Sequence, residues 1–176
     1  FDMTRGAIIS LVDKRTNTEY VKEGGALNTL RIYNESKEGG MKAWNINQYT
    51  HEENVTNVER VRIIENGPVR VCVETVKTWG KSRFIERVYL YKSYPRITYD
   101  MEVHWLETGS DSTDSPMLRA VFPLALENTK FHCQVPFDVV ERPVDGKIDG
   151  KDAPYSLRHH DAYGIVAEAD DGLEVP

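Results

Sequence analysis

The stretch "RITYDMEVHW" (Arg96 to Trp105) alternates apolar and polar side chains along its whole length. The apolar positions are Ile97, Tyr99, Met101, Val103 and Trp105. Because successive side chains of a β-strand point to opposite faces of its sheet, this period of two predicts a strand with one face on a core. The fold prediction therefore starts from an amphipathic strand.

The same period continues upstream of this strand. "VERVRII" and "VRVCVE" flank the turn signal "ENGP", in which we expect Asn66-Gly67 to adopt positive φ and Pro68 to open the return strand. "WGKS" then leads into "RFIERVYLY", and "KSYP" leads into the strand that ends at Trp105. The pattern predicts a four-stranded antiparallel meander from about Val58 to Trp105.

Shorter strand-like pieces flank the meander. "GAIISLVDK" and "TEYV" are predicted to form a hairpin through "RTN", and "TLRIYN" is a further strand. We expect "MLRAVFPLAL" to pair with "TKFHCQVPFDVV", a long loop from Glu141 to His160, and a strand in "YGIVAEA". Since no segment has a helical stripe, the prediction is an all-β fold, an antiparallel β-sandwich forming one domain over residues 1–176.

Composition narrows the classes of partner. Hydrophobic residues make up 40% and charged residues 28% of the 176 residues, which is typical of a globular domain. The net charge of −6 argues against a nucleic-acid partner, since no excess of Lys or Arg is available to neutralise phosphates. No run of about 18 apolar residues is present, so we expect no membrane span.

A search for catalytic or metal-binding motifs finds little. Cys72 and Cys133 lie in strand-like runs and are expected to be buried small hydrophobes. Asp100 and Glu102 lie on the polar face of the predicted strand, where solvated acids are the usual case. In "RHHD" (residues 158–161) the adjacent histidines of an extended chain point apart, so a solvated loop is favoured over a metal site.

The tryptophans are the side chains best suited to stack on a sugar ring. Trp105 ends the apolar face and is expected in the core, and Trp79 precedes a turn at one end of the sandwich. Trp44 lies in "MKAWNINQY" (Met41 to Tyr49) among asparagine and glutamine side chains. An aromatic ring beside amide groups suits a polyhydroxylated ligand and a hydrogen-bonded loop equally well, and both interpretations stay open at this point.

Several stretches, taken in order, resemble the C-terminal β-domain of glycoside hydrolase family 38, the α-mannosidases. "GAIISLVDKRTNTEYV" resembles the opening strand pair of that domain, and "GGALNTLRIYNE" with "MKAWNINQY" is similar to its next segment. "RVYLYKSYPRITYDMEVHWLE", "MLRAVFPLAL", "PFDVVERP" and "GLEVP" follow in the same order. The resemblance covers nearly the whole chain and implies a galactose-mutarotase-like supersandwich, incomplete at both ends.

The resemblance also implies a function that this chain carries only in part. Family members place the aspartate nucleophile and most zinc ligands in an N-terminal barrel, which is followed by a helical bundle, and neither is present in these 176 residues. The chain is then the C-terminal domain of a retaining, zinc-dependent α-mannosidase, shaping an active site that lies elsewhere. Alone it is expected to be inactive, with no catalytic residue and no bound zinc.

The site residues and partners follow from the same resemblance. Asn28, Trp44 and Asn45 are the candidate substrate-binding residues, with Lys42 and Asn45 standing where the family often has acids. The implied partners are α-mannoside oligosaccharides, the protein's own N-terminal catalytic domain and possible further copies in a homo-oligomer. A cytoplasmic location is implied by similarity to the cytosolic class. The alternatives are a non-catalytic carbohydrate-binding module that uses Trp44 or Trp79, and a structural docking or oligomerisation module.

Overall fold

The computed structural model describes residues 1–38, 48–126 and 130–142, together with four short strands further on, at 147–148, 151–152, 164–168 and 174–175. All regular elements in these ranges are β-strands, and all ladders between them are antiparallel. The all-β prediction is confirmed. In these same ranges no helix is long and apolar enough to cross a membrane.

The strands are numbered in chain order. They are β1 (Val12–Asp13), β2 (Thr18–Glu19), β3 (Thr29–Glu35), β4 (Tyr49–Asn54), β5 (Asn57–Asn66), β6 (Arg70–Trp79), β7 (Ser82–Tyr91), β8 (Ile97–His104), β9 (Ser115–Val121), β10 (Lys130–Val135), β11 (Asp138–Arg142), β12 (Lys147–Ile148), β13 (Lys151–Asp152), β14 (Gly164–Glu168) and β15 (Glu174–Val175).

The predicted meander is confirmed as a four-stranded sheet in the order β5-β6-β7-β8. Phe84 on β7 lies opposite Lys77 on β6 and Val103 on β8. Because directly paired residues project from the same face of a sheet, this register assigns the two faces of the meander. Phe84 marks the face that packs on the core.

The turn between β5 and β6 differs from the predicted one. The strands end at Asn66 and resume at Arg70, and the Gly67 N–H donates to the Arg70 carbonyl at 3.1 Å. Neither Asn66 nor Gly67 has a positive φ, so the predicted turn type was wrong, and Pro68 lies in the loop. A loop of three residues spreads the reversal over more bonds than the expected two-residue turn.

The predicted partner of β9 was also wrong. β9 pairs along its whole length with β3, whereas β10 pairs with β11 and β14. The chain reverses at Phe137, which has a φ of 69°, so "TKFHCQVPFDVV" is a hairpin by itself. The loop expected from Glu141 to His160 is interrupted as well, because β11 extends to Arg142 and β12 pairs with β13.

The core lies between the meander and a three-stranded sheet in the order β4-β3-β9. Leu30 and Ile32 of β3 pack with Val55 and Phe84 in one buried cluster. Trp79, Trp105 and Leu118 cover this cluster, and the rings of Trp79 and Trp105 stack with centroids 6.1 Å apart. The expectation that Trp105 belongs to the core is therefore confirmed. A second cluster comprises Ile8, Val21 and Leu27.

The opposite face of the meander carries a network of charged side chains. The buried Glu74 carboxylate pairs with Arg60 at 3.1 Å, Arg62 at 2.9 Å and Arg87 at 3.1 Å. Burial alone would raise the pKa of Glu74, but hydrogen bonds and charge from the arginines hold it below its usual value. Cys72 is buried with a free thiol, as expected from the sequence.

A substitution at the β6–β7 turn tests the local geometry. Gly80 has a φ of 57°, and an added Cβ would overlap the Glu107 carboxylate, which accepts the Lys81 N–H at 2.5 Å. We expect Gly80→Ala to lower the free energy of unfolding by about 1–2 kcal/mol for the left-handed backbone, and further for displacing Glu107. Urea unfolding measures the loss.

Gly24→Ala is the matched control for this prediction. Gly24 has a φ of 73°, but an added Cβ there meets no atom within 4 Å. The control should therefore show the backbone cost alone. Equal losses at the two sites would contradict a role for the contact between Glu107 and the turn.

Candidate functional site

The candidate residues fall on either side of β3 in the sequence. Asn28 directly precedes this strand, whereas Trp44 and Asn45 belong to the connection between β3 and β4 and lie outside the described residues. β3 has seven residues, and at about 3.4 Å per residue it separates Asn28 from the start of that connection by roughly 24 Å. The sugar contacts expected of Trp44 and Asn45 stay predictions.

The base of this connection is tied together by hydrogen bonds. The Ser36 N–H donates to the Gln48 carbonyl at 2.9 Å. Asp114 accepts the Lys37 N–H at 2.9 Å through one carboxylate oxygen and the Thr50 hydroxyl through the other. We call this set of contacts the Asp114 clasp. It fixes the points at which the chain leaves β3 and enters β4.

A group of aromatic and cationic side chains lies beside the clasp. The rings of Tyr33 and Tyr49 are tilted against each other, with centroids 4.6 Å apart. The Arg119 guanidinium lies 5.5 Å from the first ring centroid and 5.6 Å from the second. Strand pairing produces this arrangement, because β4 and β9 flank β3 on either side. Aromatic faces with a nearby hydrogen-bond donor suit a polyhydroxylated ligand.

The other end of β3 carries a buried polar cluster. Asn28 is buried, has a φ of 57°, and donates from Nδ2 to Oε1 of Glu86 at 2.5 Å. The Lys77 ammonium lies 3.0 Å from the other carboxylate oxygen, and the two charged side chains are only 3% and 4% exposed. This oxygen has no aligned hydrogen-bond donor, so the contact with Lys77 is an ion pair of imperfect geometry.

The surroundings of the cluster affect its titration. Burial raises the pKa of Glu86, although the charge of Lys77 and the hydrogen bond from Asn28 oppose that rise. Burial and the Glu86 carboxylate also raise the pKa of Tyr99 to about 12. Both effects follow from the low polarity of the core, which disfavours charge on an acid.

A small cavity adjoins this cluster. Its volume is about 10 Å³, and Asn28, Thr75, Glu86 and Tyr99 contribute to its wall. The buried Thr75 hydroxyl has no hydrogen-bond partner among the described residues. Such a space is at the lower limit for one water molecule and is far too small for a sugar ring. Asn28 is thus engaged inside the sandwich, and its predicted sugar contact stays untested.

Lys77 and Glu86 were not recognised as site residues from the sequence. The signal was present, because strand alternation puts Lys77 in register with Phe84 and Glu86 two residues further along the same face. Two opposite charges at neighbouring core positions predict a buried pair.

The zinc implied by the family resemblance does not fit the described part of the chain. Within it, no group of three or more His, Cys, Asp or Glu side chains is arranged to hold a metal ion. The "RHHD" run lies outside the described residues.

Fold and geometry together define an antiparallel β-sandwich domain in which the Asp114 clasp, beside an aromatic cluster, joins the end of β3 to the start of β4. The family model described as the glycosyl hydrolases family 38 C-terminal domain matches residues 1–170, so the chain belongs to this family. The chain is also 25% identical over 177 residues to Alpha-mannosidase G of Dictyostelium discoideum. That similarity covers 97% of this chain and 16% of the relative, so the chain spans about one sixth of the protein it matches. The family resemblance inferred from the sequence is confirmed.

Proposed function

We propose that this chain is the C-terminal β-domain of a retaining, zinc-dependent α-mannosidase that hydrolyses terminal α-mannosides. The observation that carries the proposal is the family match over residues 1–170. In a retaining enzyme, one carboxylate acts as nucleophile and a second as acid and base. Both carboxylates, and the zinc ligands, belong to a catalytic domain outside this chain.

Three carboxylates that lie on the strands of the meander are engaged in ion pairs, which favours a positioning role for this domain. Glu74 is held by three arginines, Glu86 is buried against Lys77, and Glu65 is paired with Arg70. Side chains committed in this way are poorly suited to act as nucleophile or general acid. The domain therefore contributes position rather than bond-making chemistry.

The connection between β3 and β4 is the proposed contact with the substrate. The Asp114 clasp fixes its two ends, and Tyr33, Tyr49 and Arg119 lie beside them. Trp44 and Asn45 would then bind a sugar residue of an α-mannoside oligosaccharide, and the buried Asn28 would order the opposite end of β3. The catalytic domain is the proposed partner, and the proposed location is the cytoplasm.

Exposed apolar side chains favour docking as a second role. Met101 and Val103 are 39% and 41% exposed although they project from the core-facing side of β8, and Leu106 just beyond is 65% exposed. Apolar side chains left uncovered beside a core are typical of a surface that packs on another domain or subunit. This role is compatible with the first one.

Hydrolysis of an aryl α-mannoside tests the proposed function. We expect a longer protein that contains this chain and a catalytic domain to turn over the substrate, and to lose activity with a zinc chelator. The 176-residue chain by itself should be inert under both conditions. An inert longer protein with zinc restored would contradict the enzyme assignment, and activity in the isolated chain would contradict the supporting role.

A further inference from the structure

The turn end of the β5–β6 hairpin forms an open groove that shares no residue with the candidate site. Its volume is about 510 Å³, which is within the range of small-molecule sites. The lining residues are Glu65, Asn66, Gly67, Pro68, Val69, Arg70 and Tyr91. The three-residue loop between β5 and β6 contributes Gly67, Pro68 and Val69 to this lining.

A preformed ion pair stands in the wall of the groove. Arg70 donates from Nε and Nη2 to the two oxygens of Glu65, at 2.6 and 2.8 Å. Its third contact is from Nη1 to the Tyr91 hydroxyl at 3.4 Å, and its guanidinium carbon lies 4.9 Å from the centre of the Tyr89 ring. A bidentate pair stacked on an aromatic ring has little freedom left to lose when a ligand binds.

The pair keeps hydrogen-bonding capacity for a ligand. A guanidinium has five N–H donors, and the three contacts of Arg70 leave two of them unused. The two oxygens of Glu65 retain lone pairs that can accept hydrogen bonds from a ligand. Donors of Arg70 and acceptors of Glu65 held close together match the neighbouring hydroxyl groups of a sugar.

The remaining wall is apolar and suits the other side of a sugar ring. Val69 is 69% exposed, and Pro68 and Tyr91 continue the apolar wall beside it. A pyranose ring presents C–H groups on one face and hydroxyls around its edge. The apolar wall can therefore contact the C–H face, and the pair of Arg70 and Glu65 can bind the hydroxyls. The pair of Arg70 and Glu65 is neutral as a whole, which favours an uncharged ligand over a phosphate or an acidic sugar.

We propose that this groove is a non-catalytic binding site for one pyranose residue of a neutral oligosaccharide. Glu65 and Arg70 bind the hydroxyls, and Tyr91 packs on the ring. The site stands on its own geometry and does not depend on the proposed hydrolytic function.

Titration of the isotope-labelled chain with methyl α-D-mannopyranoside, followed by NMR, tests this site. We expect saturable shifts at the Gly67, Val69 and Arg70 backbone amides. The dissociation constant should be on the order of 1 mM, as is usual for a small ligand on an open surface. Tyr91→Ala should weaken binding about tenfold through the lost ring contact.

Tyr94→Ala is the matched control, because Tyr94 is also a tyrosine beside an arginine, with Arg96 at 5.0 Å, but is exposed and lies outside the groove. It should leave binding unchanged. Glu65→Gln, which keeps the length of the side chain but removes its charge, should also weaken binding and provides a second variant if Tyr91→Ala fails to fold. Absence of saturable shifts in the groove, an equal loss in the control, or tighter binding of glucuronate or inorganic phosphate would each overturn the proposal.

This result is distinguishable from the test of the proposed function. Binding is measured on the chain alone, whereas hydrolysis is measured on a longer protein with a catalytic domain. Turnover without groove binding would overturn only the groove, and groove binding without turnover would overturn only the enzyme assignment.

Discussion

Replacing Lys77 with methionine is expected to lower the free energy of unfolding by about 3–5 kcal/mol, the usual cost of leaving a buried charge without its partner. The ammonium of Lys77 lies 3.0 Å from the buried Glu86 carboxylate, which would otherwise keep only the Asn28 amide. Urea unfolding at neutral pH measures the loss.

The pH dependence of this variant follows from the same carboxylate. Burial raises the pKa of Glu86 and Lys77 opposes the rise, so removing Lys77 should raise this pKa further. A raised folded-state pKa means that stability is greatest below the pKa of the unfolded chain and is lost as the pH rises through the folded value. Lys77→Met should therefore cost less in acid than at neutral pH.

The double variant Lys77→Met/Glu86→Gln is the control for charge. Glutamine keeps the shape and the carbonyl acceptor for Asn28 but carries no charge, so the double variant should recover most of the lost stability. If Lys77→Met cost the same with Glu86→Gln as without it, the two side chains would not be coupled in the folded protein.

Replacing Phe84 with alanine is expected to cost about 3–5 kcal/mol, as other large-to-small core substitutions do. Phe84 is fully buried between the two sheets, packs with Leu30 and Ile32, and lies 6.4 Å from the Trp105 ring centre. Denaturant unfolding gives the free energy. Tryptophan emission should shift at the same time, because the cavity opens beside Trp105.

Ile85→Ala is the matched control on the neighbouring residue of the same strand. Ile85 projects from the opposite, charged face of the meander and is only half-buried. Its loss should be roughly half that of Phe84→Ala or less, in proportion to the apolar area removed from water. A larger loss for Ile85→Ala than for Phe84→Ala would contradict the assignment of the Phe84 face of the meander to the core.

Sequence periodicity predicted most strands but fewer of their partners. Alternation in "RITYDMEVHW" and its neighbours reports which face of a strand is apolar, and short turns between consecutive strands then fix their pairing in the meander. No short turn joins β3 to β9. The two strands begin at Thr29 and Ser115, which are more than seventy residues apart in the sequence. Alternation alone carries no information about that partner, and the pairing predicted for β9 was wrong.

The candidate site was predicted less completely than the fold. Asn28 was chosen by family resemblance, but its left-handed backbone and its bond to Glu86 depend on residues 58 positions away. The turn at Asn66 and Gly67 was misassigned because the sequence signal for a two-residue turn also fits a three-residue loop. The groove beside this turn is lined by the longer loop, and no pattern of residue types in the sequence predicted the groove.

The Asp114 clasp has a consequence for how this domain can diverge. Because Asp114 and the hydrogen bond between Ser36 and Gln48 hold both ends of the connection, the points where the chain leaves β3 and enters β4 are fixed by contacts outside its middle part. Doubling such a segment costs only about 0.6 kcal/mol in loop entropy. Relatives that keep the clasp are therefore free to exchange the residues between its ends, and with them their preference among ligands, while inheriting an unchanged scaffold.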